Sequence, residues 1–185
     1  MADGTLKVGT ITTSSGSGTI TLGQSGETIA LGSGVTSKMN QPAFEAYLNS
    51  SQTISDAVAT KIQFDVEIYD TNNCYDNTTN YRFTPTVAGK YYIYSFLAGD
   101  GSGSDDIKQT YNYIYKNGVM IKQSIPNQFN SYPANVVGAP INTVVDMNGS
   151  TDYIEIYGLI DITTGTPSIL GNNQRSSFGA YRIGA

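Results

Sequence analysis

The sequence contains no histidine, no tryptophan and a single cysteine, Cys74. Without imidazole there can be no Ser-His or Cys-His nucleophile pair and no histidine metal site, and one thiol cannot close a disulfide within the chain. Charge is also scarce, because Asp, Glu, Lys and Arg make up 14% of the 185 residues, against about 25% in an average globular protein. The net charge is −5 and no basic residues cluster, which argues against a nucleic-acid partner.

Long apolar runs are absent as well. No stretch reaches the 18 residues that a membrane-spanning helix needs, and the first residues lack the basic and apolar regions of a secretory signal. We therefore expect no membrane insertion and a product made in the cytoplasm of its host. Ser, Thr, Asn and Gln, which form about a third of the chain, must supply most of the surface.

Residues 1–43 contain no aromatic residue, whereas all 14 Tyr and 6 Phe follow them. In the first part Ile11, Ile20 and Ile29 recur nine residues apart, each within a short Thr-Ile alternation that leads to a Gly/Ser turn. One such strand cannot bury its apolar face alone. We predict that residues 1–41 form a narrow β-repeat shaft in which three chains place these isoleucines on a common axis. A flexible Gly/Ser linker is the alternative.

Residues 42–185 predict an all-β domain of the sandwich or jelly-roll kind. Short alternating segments are separated by Gly, Asn and Pro, and no segment carries a helical period. Asn117-Gly118 is the strongest hairpin signal, because both residues tolerate the positive φ of a type I′ turn. The predicted strands are 43–48, 61–68, 80–84, 90–97, 110–116, 119–125, 135–146, 152–161 and 177–184.

Tyrosine occurs on more strand faces than one sandwich core can cover. The segment from Tyr91 to Leu97 carries bulky side chains on both faces, and Tyr111, Tyr113 and Tyr115 share a face of another strand. A monomer seldom exposes that much aromatic surface, so we predict a subunit interface. Tyrosines scattered singly on a polar surface are the alternative. The residues predicted for the interface or core of the head are Tyr92, Tyr94, Tyr113 and Phe178.

Four motifs in order carry a family resemblance. They are Pro42-Ala43-Phe44-Glu45-Ala46, the F-x-P-x-x-x-G-x-Y-Y run at Phe83–Tyr92, Lys116-Asn117-Gly118, and Ser177-Phe178-Gly179-Ala180-Tyr181-Arg182-Ile183. Residues 42–185 thereby resemble the C1q-like domain of the C1q and tumour necrosis factor superfamily. The resemblance implies a ten-stranded jelly roll assembled as a tight homotrimer, with aromatic residues in the core and at the three-fold axis. Residues 1–40 lack the Gly-X-Y repeat of a collagen stalk, so we transfer no complement or cytokine function.

A β-repeat ahead of such a head resembles the fibre and spike proteins of bacteriophages, as does the opening Gly-Thr-Leu-Lys-Val-Gly-Thr-Ile. We expect a homotrimer on the virion surface, joined to other virion proteins by residues 1–41, whose head adheres to a host-surface glycan or protein. A capsid decoration or head fibre with a mainly structural role is one alternative, and a soluble carbohydrate-binding module is another.

Long loops on a rigid scaffold are the usual place for recognition. We predict that 49–60, 69–79, 98–109, 126–132 and 163–176 gather at the end of the head far from the point of chain entrance, and that the tight turns 87–89, 117–118 and 148–150 gather at the near end. Aromatic and amide groups there suit sugar rings. The predicted ligand-binding residues are Asp100, Asn127, Phe129, Asn130, Tyr132 and Arg175.

Carboxylates on one of these loops raise the question of a metal. Asp100, Asp105 and Asp106 could supply oxygen ligands to Ca²⁺ where three chains converge, and a solvated acidic loop is the favoured alternative. We therefore expect no required cofactor, with calcium as the candidate. Nothing in the sequence places two carboxylates at the separation that glycoside hydrolysis needs, so we predict a non-enzymatic protein.

Overall fold

The computed structural model describes residues 10–13, 20, 25–26, 33, 41–101, 107–126 and 134–184. The chain divides into two units, Met1–Met39 and Asn40–Ala185. All regular structure in the described ranges is β-strand, and within them no helix is long and apolar enough to cross a membrane. The described fragments of the first unit contain no strand, so the shaft stays a prediction, as does the assignment of 1–41 and 42–185 to shaft and head.

Thirteen strands occur in the described residues, and five of them are only two residues long. In chain order they are β1 Ala43–Tyr47, β2 Gln52–Thr53, β3 Thr60–Lys61, β4 Val66–Asp70, β5 Tyr75–Asp76, β6 Arg82–Phe83, β7 Gly89–Asp100, β8 Ile107–Lys116, β9 Val119–Ser124, β10 Val136–Met147, β11 Ile154–Ile162, β12 Ser168–Ile169 and β13 Ser177–Gly184.

The strands form two antiparallel sheets packed face to face. The first sheet runs β10-β7-β13-β1-β4, and β12 and β2 continue it beside the last residues of β7. The second runs β5-β6-β11-β8-β9, with β3 paired to β11. Both sheets bury one face in a common core, which is the expected all-β jelly roll.

Strand β7 shows why the sandwich forms. Successive side chains alternate between the two faces of a strand. Tyr91, Ile93 and Leu97 are fully buried between the sheets, whereas Tyr92 is half-buried and Phe96 is exposed on the opposite face. The predicted two-sided strand is therefore confirmed, and only one of its faces belongs to the core.

Aromatic rings fill the middle of the core. Phe44 from β1 stacks on Tyr75 and Phe83 with ring centroids 4.5 and 4.8 Å apart, and it meets the edge of Phe178 at 4.8 Å. Phe64 lies 5.9 Å from Phe178. These contacts join residues from both sheets and from the segment that connects them.

The three tight turns meet at one end of the sandwich, as predicted. Asn117 and Gly118 have φ values of 51° and 78°, the two positive angles of a type I′ hairpin. The Asn117 side chain accepts from the Tyr153 amide at 2.9 Å and donates to Asp152 Oδ1 at 2.8 Å. A β-carbon on Gly149 would overlap the backbone of Ala88. We call this the near end, since β1 also starts here.

We expect Asp152→Asn to weaken the near end. Asp152 pairs with Lys116 Nζ at 2.9 Å and accepts from the Asn148 amide at 3.0 Å. The Asn117 amide, and then Lys116, hold its pKa below the ordinary value. A depressed pKa means that the carboxylate stabilises the fold above the unfolded pKa of about 3.9 and loses that contribution as pH falls through the folded pKa. Asp152→Asn should therefore lower the free energy of unfolding by about 1 kcal/mol at neutral pH.

Urea titrations of both proteins at pH 7 and pH 3 measure this effect. The difference in free energy of unfolding between the parent protein and Asp152→Asn should be smaller at pH 3 than at pH 7. Asp146→Asn is the control, because the Lys90–Asp146 pair is exposed and should change stability by less than about 0.5 kcal/mol. An equal difference in free energy of unfolding at both pH values would contradict a stabilising role for the ionised Asp152 carboxylate.

Two expectations about the chain path are wrong. The predicted strand 61–68 is two strands in different sheets, because β3 pairs with β11 and β4 pairs with β1. The segment 69–79 does not lie wholly at the far end. Strand β4 is antiparallel to β1 and therefore ends at the near end, where the Thr71 amide donates to the Ala43 carbonyl at 3.0 Å.

Candidate functional site

The end opposite the tight turns carries long connections. Strands β1, β9 and β11 end here, as does β7 at Asp100, and β8 begins here at Ile107. We call it the far end. Residues 48–59 and 163–176 are its described connections, and most of their side chains are polar and exposed.

Two predicted ligand-binding residues can be placed. Asp100 is half-buried at the last position of β7, opposite Val136 on one side and Ser168 on the other. Arg175 is exposed in the connection before β13, and its amide donates to the Asn172 carbonyl at 3.2 Å. Both lie at the far end. The predicted residues Asn127, Phe129, Asn130 and Tyr132 fall outside the described residues.

The calcium hypothesis stays a prediction. Asp105 and Asp106 are outside the described residues, so their separation from Asp100 is not given by the structure. In the ranges that the structure describes, no three acidic, cysteine or histidine side chains form a group that could hold a metal ion.

The turn before β13 has an uncommon backbone. Asn172, Asn173 and Gln174 have φ values of 55°, 49° and 57°, the left-handed region that Asn tolerates better than most residues. The Asn172 amide donates to the Asn49 carbonyl at 3.1 Å and the Gly171 amide to Ser51 Oγ at 3.2 Å. The far end therefore presents the amide side chains of Asn172, Asn173 and Gln174 on a turn that is hydrogen-bonded to the connection after β1.

The outer face of the first sheet is the second candidate. Tyr94, Gly179, Glu45 and Tyr69 stand in one row across β7, β13, β1 and β4. A β-carbon on Gly179 would overlap the Tyr94 ring, so this glycine lets the ring lie flat across β13 towards Glu45 and Tyr69. Burial, and then Glu45, raise the pKa of Tyr94, so it stays neutral in any ordinary buffer.

The same arrangement repeats one row towards the far end. The Phe96 ring lies over Gly138 of β10, where a β-carbon would overlap it. Around these rings the face is apolar, and several of its large side chains remain exposed in the single chain. They are Ile68 at 45%, Tyr69 at 41%, Phe96 at 40%, Val136 at 52%, Val144 at 51%, Tyr181 at 43% and Ile183 at 50%.

The outer face of the second sheet carries its own tyrosines. Tyr111 stacks on Tyr113 with centroids 5.6 Å apart, and Tyr115 lies 4.4 Å from Tyr157 of β11. Beside them Lys61 Nζ pairs with Glu155 at 2.6 Å, and Glu155 is only 5% exposed. Packing among the rings leaves Tyr113 with only 9% of its surface exposed, whereas Val119, Met120 and Ile121 of the neighbouring β9 are 65%, 46% and 42% exposed.

The structure separates the residues predicted for the interface or core. Phe178 is fully buried between the sheets. Tyr92 and Tyr94 share the outer face of the first sheet, whereas Tyr113 is on the outer face of the second. Ile11 and Ile20 are 54% and 42% exposed in the chain, and Ile29 is outside the described residues. Their place on a three-fold axis stays a prediction.

Solved structures share this arrangement of two sheets. Murine APRIL at pH 5.0 superposes with a TM-score of 0.57 at 8% sequence identity, over 77% of this chain and 99% of that one. Eiger TNF from S. frugiperda superposes with a TM-score of 0.51 at 11% identity, over 77% and 91%. The head is a jelly roll of the tumour necrosis factor type. No family model and no curated protein sequence matches the chain.

This jelly roll displays features that the sequence analysis missed. Tyr181, Val144, Val136 and Ile183 join Tyr92 and Tyr94 on one apolar face because their strands are neighbours, which sequence order does not reveal. A signal did exist in Gly179, which occupies an outward position in a strand, directly after Phe178 and two residues before Tyr181. Cys74 is 4% exposed and burial raises its pKa, in keeping with a packing residue.

Proposed function

We propose that this chain is a non-enzymatic, homotrimeric virion protein of a bacteriophage, a fibre or spike whose jelly-roll head adheres to the host surface. Residues 1–41 attach it to other virion proteins, and the far end of the head contacts a host glycan or protein. The observation that carries the proposal is the apolar outer face of the first sheet, which one chain leaves open to water. No cofactor is part of the proposal.

A homotrimer is the assembly that fits this face best. Uncovered aromatic and aliphatic patches of this kind mark interfaces between proteins, and the C1q-like motifs imply a three-fold arrangement. Among the described residues, Glu45 is the one charged residue near the middle of the face, and it lies within reach of the Tyr94 hydroxyl. Burying the face between subunits would therefore leave few charges without solvent.

The far end suits adhesion because it differs from both the core and the interface. Its described connections are rich in Asn, Ser, Thr and Gln and are exposed on a rigid pair of sheets. The nine-residue repeat before the head supports a fibre or spike, since three stacked chains would give it the core that one chain lacks. A virion surface is the location that follows.

Adsorption to the host tests this proposal. The purified full-length chain, added to host cells before infection, should reduce phage adsorption at least tenfold at saturation. Replacing residues 127–133 by Gly-Ser-Gly, which leaves β9 and β10 intact, should abolish the competition. The near-end variant Lys90→Ala should compete like the parent protein.

Two outcomes would overturn the proposal, and antibody labelling of purified particles separates them. Labelled capsids with unchanged adsorption would indicate a decoration or head fibre of mainly structural role. A chain missing from particles that binds sugar without residues 1–40 would be a soluble carbohydrate-binding module.

A further inference from the structure

A cleft of about 270 Å³ opens on the flank of the head next to the far end. It brings together three separate stretches of chain: the connection after β1, the passage between β3 and β4, and the residue before β6. The lining residues are Leu48, Ser50, Ser51, Gln52, Gln63, Asp65 and Tyr81.

Tyr81 reaches this cleft through an unfavourable backbone conformation. Its φ is 49°, in the left-handed region that a bulky residue adopts only where the surrounding structure enforces it. The turn before it supplies that constraint. The Asp76 carboxylate accepts from the amides of Thr78, Thr79 and Asn80 at 2.9–3.1 Å, and these bonds hold its pKa well below the ordinary value.

The polar wall of the cleft is also fixed in advance. Gln52 donates from Nε2 to the Lys61 carbonyl at 2.9 Å and accepts from the Gln63 amide at 2.9 Å. Asp65 Oδ1 accepts from the Asn49 amide at 2.8 Å. Hydrogen bonds to the backbone thus hold the Gln52 and Asp65 side chains in place, so these two side chains lose little conformational freedom when a ligand binds.

The composition of the cleft selects a class of ligand. One aromatic ring beside amide, hydroxyl and carboxylate groups suits a sugar ring, whose C–H face packs on an aromatic surface while its hydroxyls pair with polar side chains. No Lys or Arg is among the lining residues, and Asp65 would repel an anion. The volume of about 270 Å³ is slightly below that of typical ligand pockets, which start at roughly 300 Å³, so the cleft has room for only a small ligand.

We propose that this cleft is a binding site for one neutral pyranose unit, stacked on Tyr81 and hydrogen-bonded by Gln63 and Asp65. The inference deepens the adhesion role and rests on it for biological meaning, because it names the ligand class next to the far end. Binding itself is a property of the purified protein and is tested without the host.

Saturation-transfer NMR on the full-length chain, with glucose, galactose, mannose and N-acetylglucosamine as probes, tests the site. At least one sugar should receive saturation from the protein. Tyr81→Gly should weaken its binding about tenfold, because glycine accepts the positive φ and only the ring is lost. Tyr81→Phe should retain binding, since the stacking surface remains. Gln123→Ala, an exposed amide on β9 outside the cleft, should bind like the parent.

The outcomes separate this site from the adhesion role. No transfer to any of the four sugars, or equal binding by parent and Tyr81→Gly at unchanged assembly mass, would overturn the cleft proposal even if far-end replacement still blocks adsorption. Sugar binding that depends on Tyr81 would support the cleft, and adsorption competition unaffected by Tyr81→Gly would then show that adhesion uses other residues.

Discussion

Placing glutamate at Val144 and Tyr181 together is expected to convert the assembly from about three times 19.8 kDa to the mass of one 19.8 kDa chain. The two residues flank Tyr92 in one row across β10, β7 and β13. Both are exposed in the single chain, at 51% and 43%, so the substitutions should spare the folded head. In a trimer that buries this face, they would place unpaired charges away from water.

Val58→Glu is the matched control for this variant. Val58 is also 51% exposed, but it lies in a far-end connection and not on the outer face of the first sheet. Light scattering of the three proteins at equal concentration gives the comparison. If the parent chain already has a mass near 20 kDa, or if the double variant keeps the parent mass, this face is not the subunit interface.

Local alternation predicted the parts of the fold that depend on neighbours in sequence. The two faces of β7 follow from the large side chains on both faces of the segment from Tyr91 to Leu97, in which Ser95 is the one small residue. The hairpin follows from Asn117-Gly118, and both features depend on only two to seven consecutive residues. Strands β2 and β12 have two residues each. Such short strands carry no period, and they exist because partners from distant sequence lie beside them.

The change of sheet between β3 and β4 shows where alternation fails. Ile62 and Phe64 are both fully buried, so the segment continues the pattern of one strand while its backbone leaves one sheet for the other. The Ile62 amide donates to the Ile156 carbonyl at 2.9 Å in the second sheet, and Val66 pairs with Tyr47 in the first. The alternation over 61–68 therefore predicted extended chain but not the point at which the chain changes sheet.

In the candidate sites too, the sequence predicted some features, and others depend on residues that are distant in sequence. Surplus tyrosine predicted that an outer face needs a partner, yet the apolar face also requires Gly179 and Gly138, whose role depends on rings from adjacent strands. The Tyr81 cleft was not predicted, because its walls come from three segments and because a positive φ at tyrosine cannot be seen in the sequence. The turn-forming run Asp76-Asn77-Thr78-Thr79-Asn80 was the available signal.

Phe178→Ala is expected to lower the free energy of unfolding by about 3–5 kcal/mol, the usual cost of emptying a buried phenylalanine site. Phe178 is fully buried and its ring contacts Phe44, Phe64 and Tyr75 at centroid distances of 4.8, 5.9 and 5.8 Å. Tyr75 donates its hydroxyl to the Phe64 carbonyl at 3.0 Å, which limits how far the Tyr75 ring can move into the cavity.

Chemical denaturation at one fixed chain concentration measures this loss, since the stability of an oligomer depends on concentration. Phe178→Leu should recover most of it, because leucine refills much of the volume and adds no polar group. Strand β13 holds Phe178 on its inner face and Gly179 and Tyr181 on its outer face, so loosening this strand should also weaken subunit association. A change below about 1 kcal/mol for Phe178→Ala would mean that this aromatic cluster does not join the two sheets.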